Sequence, residues 1–143
     1  MIQTILVVDD ERDLAATCER LLRRRGWNVV TAGSRETALS VLARTPRPVL
    51  AIVDRQLPDG DGLDVLRAAL AIQTPVIMVT GYGAAATRRL VLDEGAAGFL
   101  AKPFSSHDLL ELVRRIVGDG SGTAAAPAIR PPAPDQPRPG IHC

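Results

Sequence analysis

The sequence predicts an α/β domain: a doubly wound (βα)5 three-layer sandwich on a parallel five-stranded sheet. Three observations predict it. Five short apolar runs recur along the chain. Most are near-continuous and β-branched rather than alternating, as parallel strands covered on both faces require. Segments of helical period separate them, each long enough for a crossover helix. Finally, 46% of the residues are apolar and only 3% aromatic, so Leu, Val, Ile and Ala must fill the core of one domain.

The predicted strands are ILVV at 5–8, VV at 29–30, VLAIV at 49–53, VIMV at 76–79 and GFLA at 98–101. A first helix is expected over 11–25, with Leu14, Cys18, Leu21 and Leu22 on one stripe at steps of three and four. Arg23-Arg24-Arg25 followed by Gly26 suits its end, where cations meet the helix dipole and a glycine stops the helix. The second helix is expected over 34–44, with Ala38, Val41 and Leu42 inward, and the third over 62–72. The fourth is expected over 84–94, closed by Gly95. The last, over 106–117, opens on a capping box in Ser105-Ser106-His107-Asp108 and buries Leu109, Leu112, Val113 and Ile116. The ordered domain is thus expected over 1–118. Residues 119–143 hold six prolines and no hydrophobic period, and read as a flexible or polyproline-like tail or the start of a linker.

Composition excludes several classes of function. A formal charge of +1 gives no electrostatic case for nucleic-acid binding by this domain. No apolar run reaches membrane-spanning length. The start, MIQTILVVDDERD, lacks a basic leader and puts acids where a cleavage site would stand, so a cytoplasmic protein is expected. Cys18 and Cys143 have neither metal-ligand nor disulfide spacing. Of the 17 basic residues only Lys102 is a lysine.

Sheets of this kind place ligands at the carboxyl ends of their strands, near the point where strand order reverses. Asp9-Asp10, Asp54, Thr80 and Lys102 each follow a predicted strand there, so they should converge. Three carboxylates in one pocket must take up protons or hold a cation. An oxygen-only, water-filled site suits Mg²⁺. A carboxylate beside such a cation can attack phosphorus in line, which makes Asp54 the expected nucleophile. Lys102 would pair with Asp54 before transfer and with a phosphoryl oxygen after it. The Thr80 hydroxyl would donate to the phosphoryl group, with Gly81 leaving the approach open. Plainer readings stand beside these: Asp9 and Asp10 as helix caps (Asp10 or Glu11 serving both ends), Lys102 as a surface lysine, Thr80-Gly81 as a turn.

Taken together, ILVVDDE, VDRQLPDGDGLDVL, VIMVTGYG and GAAGFLAKPF resemble the receiver domain of bacterial two-component response regulators, over about residues 2–118. The resemblance implies a flavodoxin-like sheet of order 2-1-3-4-5 and a Mg²⁺-dependent phosphorelay. It makes Asp54 the phosphoacceptor. Asp10 would bind Mg²⁺ directly, Asp9 mainly through water, and the Gln56 backbone carbonyl would complete the metal shell. Thr80 becomes the switch hydroxyl, Phe99 the switch aromatic, and Lys102-Pro103 a bond that is usually cis. Pro58 and Gly60 resemble the turn after the acceptor. Tyr82, two residues past Thr80, would shield the acyl phosphate from water.

The implied partners are a sensor histidine kinase or histidine phosphotransfer protein, with homodimers possible through the face of helix 4, strand 5 and helix 5. Phe99 also reads as core packing. His107 reads as exposed capping polarity, His142 as a tail residue, Cys18 as a small buried group, and Trp27 as packing at the sheet edge. Two other functions are conceivable. One is a receiver-like interaction module that works without phosphorylation. The other is a small phosphohydrolase, against which stand Gln56 in place of a second acid and the lack of a cap domain.

Overall fold

The computed structural model describes residues 3–81 and 84–118. Five parallel strands form its main sheet: β1 (Thr4–Val8), β2 (Asn28–Ala32), β3 (Leu50–Asp54), β4 (Val76–Thr80) and β5 (Gly98–Ala101), in the order β2-β1-β3-β4-β5. This is the order that the sequence implied. Chain direction reverses its spread at β1, which pairs with β2 through Ile5↔Val29 and with β3 through Ile5↔Leu50. After β3 comes a small antiparallel ribbon, Gln56–Leu57 against Gly60–Asp61, which stands apart from the main sheet. No periodicity announced it.

The helices are α1 (Arg12–Arg24), α2 (Arg35–Leu42), α3 (Gly62–Ala71), α4 (Ala84–Asp93) and α5 (Ser106–Val117). Helices α2, α3 and α4 cover one face of the sheet, over Leu6, Val8, Ala51, Val53, Val76 and Met78. Helices α1 and α5 cover the other, over Ile5, Val7, Leu50, Ile52, Ile77, Val79 and Leu100. The split follows from the pleat: successive side chains point to opposite faces, so an unbroken apolar run feeds both cores at once. Burying one such Leu or Ile contributes roughly 1.5–3 kcal/mol.

Helix ends follow local chemistry. Ser105 Oγ accepts the Asp108 N–H at 3.0 Å and opens α5 as expected. Ser34 Oγ likewise accepts Thr37 N–H at 3.1 Å at the start of α2. That helix has a second brace, because Asp59 reaches across from the loop after β3 and accepts the Arg35 and Glu36 N–H groups at 2.7 and 3.0 Å. These bonds hold the Asp59 carboxyl below its usual range. Trp27 is buried beneath α1 with Cys18 and Leu22, more deeply than a sheet-edge position suggested. Burial, with the Asp9 charge behind it, pushes the Cys18 thiol up to about 11. It is an inert apolar group.

No helix among the described residues is long and apolar enough to cross a membrane. Tyr82 and the 119–143 stretch lie outside the described residues, as does the side chain of Ala84.

Candidate functional site

The parallel ladder runs one residue further than the apolar runs did. Asp54 pairs with Val79, and Thr80 with Ala101, so both polar residues are the last residues of β3 and β4 themselves. Their backbones are therefore held by the sheet. The Arg55 N–H continues the ladder to Val79 O at 2.8 Å, and the Lys102 N–H donates to Thr80 O at 2.9 Å. Asp9, just past β1, donates its N–H to Ala32 O at 3.0 Å. The ends of β1, β3 and β5, with β4 between the last two, thus aim Asp9, Asp54 and Lys102 into one volume at the carboxyl edge of the sheet.

Lys102 Nζ sits among the acids: 2.6 Å from Glu11 Oε1, 2.9 Å from Asp54 Oδ2 and 3.1 Å from Asp9 Oδ2. Asp54 spends its other oxygen, Oδ1, on the Gln56 N–H at 3.0 Å. Asp9 Oδ1 accepts the Glu11 N–H at 2.9 Å, a tight turn before α1 that leaves Glu11 as the N-cap residue without a side-chain cap of its own. The helix-cap reading of Asp9 is thus half realised: it shapes the approach to α1 while its second oxygen serves the pocket.

Charge and burial compete here. Burial raises the Asp9 carboxyl above its ordinary value; hydrogen bonds from Glu11 and Lys102 pull against it but do not win. For Lys102, burial pulls down, and the bonds to Glu11, Asp54 and Asp9 more than reverse it, so the ammonium is held above its usual range. The pocket is a site with surplus negative charge and one cation within it.

Ligand atoms of Asp9, Glu11 and Asp54 lie within 4.8 Å of one another, a spacing that a single ion can bridge. Hard oxygen donors at the mouth of a cleft fit Mg²⁺. Asp10, the expected direct ligand, is exposed on the same loop and outside this grouping. Glu11 is inside it. The sequence offered either Asp10 or Glu11 as a residue that both caps and serves the site; reach decides for Glu11, whose side chain, one methylene longer, spans from the start of α1 to Lys102. Gln56 is exposed at the start of the ribbon. A cleft of about 530 Å³ opens beside the acids between α1 and the end of β2, lined in part by Asp9, Asp10, Arg12 and Gly33.

Thr80 is fully buried. By the pleat it shares a face with Met78, which pairs with Phe99 of β5. Phe99 is partly buried and packs against the core under α4. A Cβ at Gly81 would meet Lys102 Cβ at 3.7 Å, an ordinary contact, so space alone does not demand glycine there. Gly62 is different. A Cβ there would press on the Asp54 peptide and stand 2.9 Å from Arg55 Cα. The Gly62 N–H donates to Arg55 O at 2.7 Å. The first residue of α3 is thus laid directly against the backbone at the end of β3. Pro58 and Gly60 lie at the exposed tip of the ribbon. The Lys102-Pro103 bond is cis, and His107 is exposed.

Comparison with known proteins agrees with this geometry. A family model described as "Response regulator receiver domain" matches residues 5–114. The transcriptional regulatory protein CpxR of Escherichia coli is 39% identical over 114 residues, which are 79% of this chain and 48% of that protein. The probable transcriptional regulatory protein TcrX of Mycobacterium tuberculosis is 37% identical over 116 residues, 80% of this chain and 49% of that one. The chain therefore spans about half the length of these curated relatives. Among solved structures, a receiver domain protein from Clostridium thermocellum superposes with a TM-score of 0.75 at 30% identity, covering 81% of this chain and 94% of the other. The non-phosphorylated HemR receiver domain of Leptospira biflexa gives 0.74 at 26%, covering 89% and 99%. Receiver domains are signalling domains that bind Mg²⁺ at an acidic pocket, and the order of the sheet, the acids at its carboxyl edge and the matched span converge on one conclusion: this chain belongs to the response regulator receiver domain family.

Proposed function

We propose that the chain is a phosphoryl-operated switch in a two-component phosphorelay, with Asp54 as the acceptor and a sensor histidine kinase or histidine phosphotransfer protein as the donor. The observation that carries this reading is the seat of Lys102 Nζ, 2.9 Å from Asp54 and within 3.1 Å of Asp9. A carboxylate so placed is oriented at a strand end, with a cation ready to receive new negative charge.

The chain's residues divide the work. Asp9, Asp10, Asp54 and the Gln56 carbonyl are the proposed Mg²⁺ ligands, with Glu11 close enough to join them. Bound there, Mg²⁺ would offset repulsion between the acceptor and the incoming phosphoryl group. An Asp54 oxygen bonds to phosphorus as the phosphorus–nitrogen bond of the donor histidine breaks. The imidazole keeps that electron pair and takes a proton. Lys102 then moves its charge onto a phosphoryl oxygen, and the Thr80 hydroxyl donates to another. Phe99 follows Thr80 inward, and the surface of α4, β5 and α5 changes its preference for partners, a second copy of the chain among them. The acyl phosphate ends by slow self-catalysed hydrolysis. The product is a cytoplasmic signalling state rather than a released metabolite.

The test is direct. Purified protein treated with phosphoramidate and Mg²⁺ should gain one phosphoryl group by mass spectrometry, and Asp54→Asn should gain none. No mass increase, or an undiminished one in Asp54→Asn, would sink the assignment. Partner binding that persists unchanged in Asp54→Ala would instead favour an interaction module that works without phosphorylation.

A further inference from the structure

Arg55 follows the acceptor directly, and the pleat turns its side chain away from the acidic pocket. It is the most connected residue of the loop. Its backbone is bonded on both sides, to Val79 O at 2.8 Å and from the Gly62 N–H at 2.7 Å. Its guanidinium spans two elements. Nε and Nη2 each donate to an oxygen of Asp61 at 3.3 Å, and Nη1 donates to Thr87 Oγ1 of α4 at 3.3 Å. Asp61 Oδ1 also accepts the Leu63 N–H at 3.0 Å and so caps α3.

The Thr87 end of this bridge matters because α4 is thinly held. Helix α3 buries Gly62, Leu63, Val65, Leu66 and Ala69. Among the described residues of α4 only Thr87 and Val91 are buried, and Leu90 is exposed. With so narrow an apolar stripe, polar ties carry a large share of what fixes this helix: the Arg55–Thr87 bond in its first half and the Arg67–Glu94 pair just past its end. Thr80 stands only four residues before Ala84, the first residue of α4, so a shift of Thr80 toward a phosphoryl group acts close to the start of this helix. The backbone of Arg55 cannot follow, being locked to β4 and α3.

We propose that Arg55 is a positioning residue, a latch that ties α4 to the acceptor loop through Thr87 and restrains the move of α4 when Asp54 is phosphorylated. The role in switching rests on the phosphoacceptor reading above. The tie between Arg55 and α4 does not, and the experiment separates the two.

Amide hydrogen exchange is measured on the full chain for wild type, Arg55→Gln, Thr87→Val, Thr87→Ser and the Arg55→Gln/Thr87→Val double variant. Thr87→Val keeps the buried shape, and Thr87→Ser keeps the acceptor. Exchange of α4 amides should quicken about tenfold in Arg55→Gln and in Thr87→Val, the factor expected for one lost hydrogen bond to a charged group. Thr87→Ser should stay near wild type. The double variant should match the single ones rather than multiply them. Phosphorylation by phosphoramidate should speed up in the same variants and in the same order.

Unchanged α4 exchange in Arg55→Gln, loosening confined to α3, or multiplicative effects in the double variant would each overturn the latch. Loosened α4 with phosphorylation rates unaltered would overturn its part in switching. Should even the wild type take no phosphoryl group, the acceptor reading fails, and α4 exchange alone decides the latch.

Discussion

Replacing Lys102 by Met leaves the stem and removes the charge from the centre of the acidic pocket. Its ammonium lies 2.6, 2.9 and 3.1 Å from Glu11, Asp54 and Asp9, whose side chains are 61, 6 and 7% exposed. Removing one partner of a buried ion pair costs about 3–5 kcal/mol. Glu11 faces water and adds little. The pocket is open on one side, so the loss should be near 2 kcal/mol at about pH 7. Urea denaturation reads it as a midpoint about 1 M lower, given a slope of about 1–3 kcal/mol per molar.

Two controls identify the loss as electrostatic. At acid pH the Asp9 carboxyl, which burial raises, takes up its proton more readily, and part of the difference should vanish. Mg²⁺ supplies the missing positive charge: at about ten times its dissociation constant it adds about 1.4 kcal/mol. The gain should be larger in the variant than in wild type, where the lysine competes for the same oxygens. A loss equal at both pH values and indifferent to Mg²⁺ would refute this account and reduce Lys102 to packing.

Three other outcomes are expected. Asp9→Asn should stabilise the metal-free protein at neutral pH, read as a higher urea midpoint. The sign follows from the raised carboxyl: with the folded value above 3.8, stability is lost as pH rises through it, so the two proteins should converge in acid. The same variant should bind Mg²⁺ more weakly, read by the thermal shift that the ion produces. The raised Lys102 ammonium contributes stability that is full below 10.5 and lost as pH climbs through its folded value. Urea midpoints should therefore fall more steeply for wild type than for Lys102→Met in strong alkali. Gly62→Ala should cost about 1–3 kcal/mol, since the atoms facing its new Cβ are backbone and cannot step aside. Phosphorylation should slow as well, because the same push displaces Asp54; a neutral result in both assays would contradict the close approach.

Much of the fold was legible because parallel strands write themselves plainly. An unbroken β-branched run such as 50–53 admits few other readings. Boundaries were less so: β2 extends through Asn28 and Thr31, where pairing with β1 overrides weak local preference. Helices α1 and α2 each close short of their expected ends for the complementary reason, as the last turn loosens once its apolar stripe is spent. At the site, Asp9, Asp54, Thr80 and Lys102 could be placed because each stands at a strand end. Glu11 could be named only as an alternative to Asp10, and Arg55 not at all. Their contacts depend on the reach of long side chains across other elements, which neither period nor motif encodes. The Asp59 brace on α2 was hidden likewise, since it joins residues 23 and 24 positions apart.

One lysine among 17 basic residues, seated in the acidic pocket, makes this protein a chemical reporter of its own state. Apart from the chain's α-amine, an amine-acylating reagent has a single target, with a side chain 17% exposed. Its labelling rate then follows whatever occupies the pocket, and every acylated internal tryptic peptide reports on that one position. An acetyl group placed there by chemistry or by an enzyme would erase the cation that, among the described residues, the three acids share. It would change the charge of the site without touching Asp54 itself.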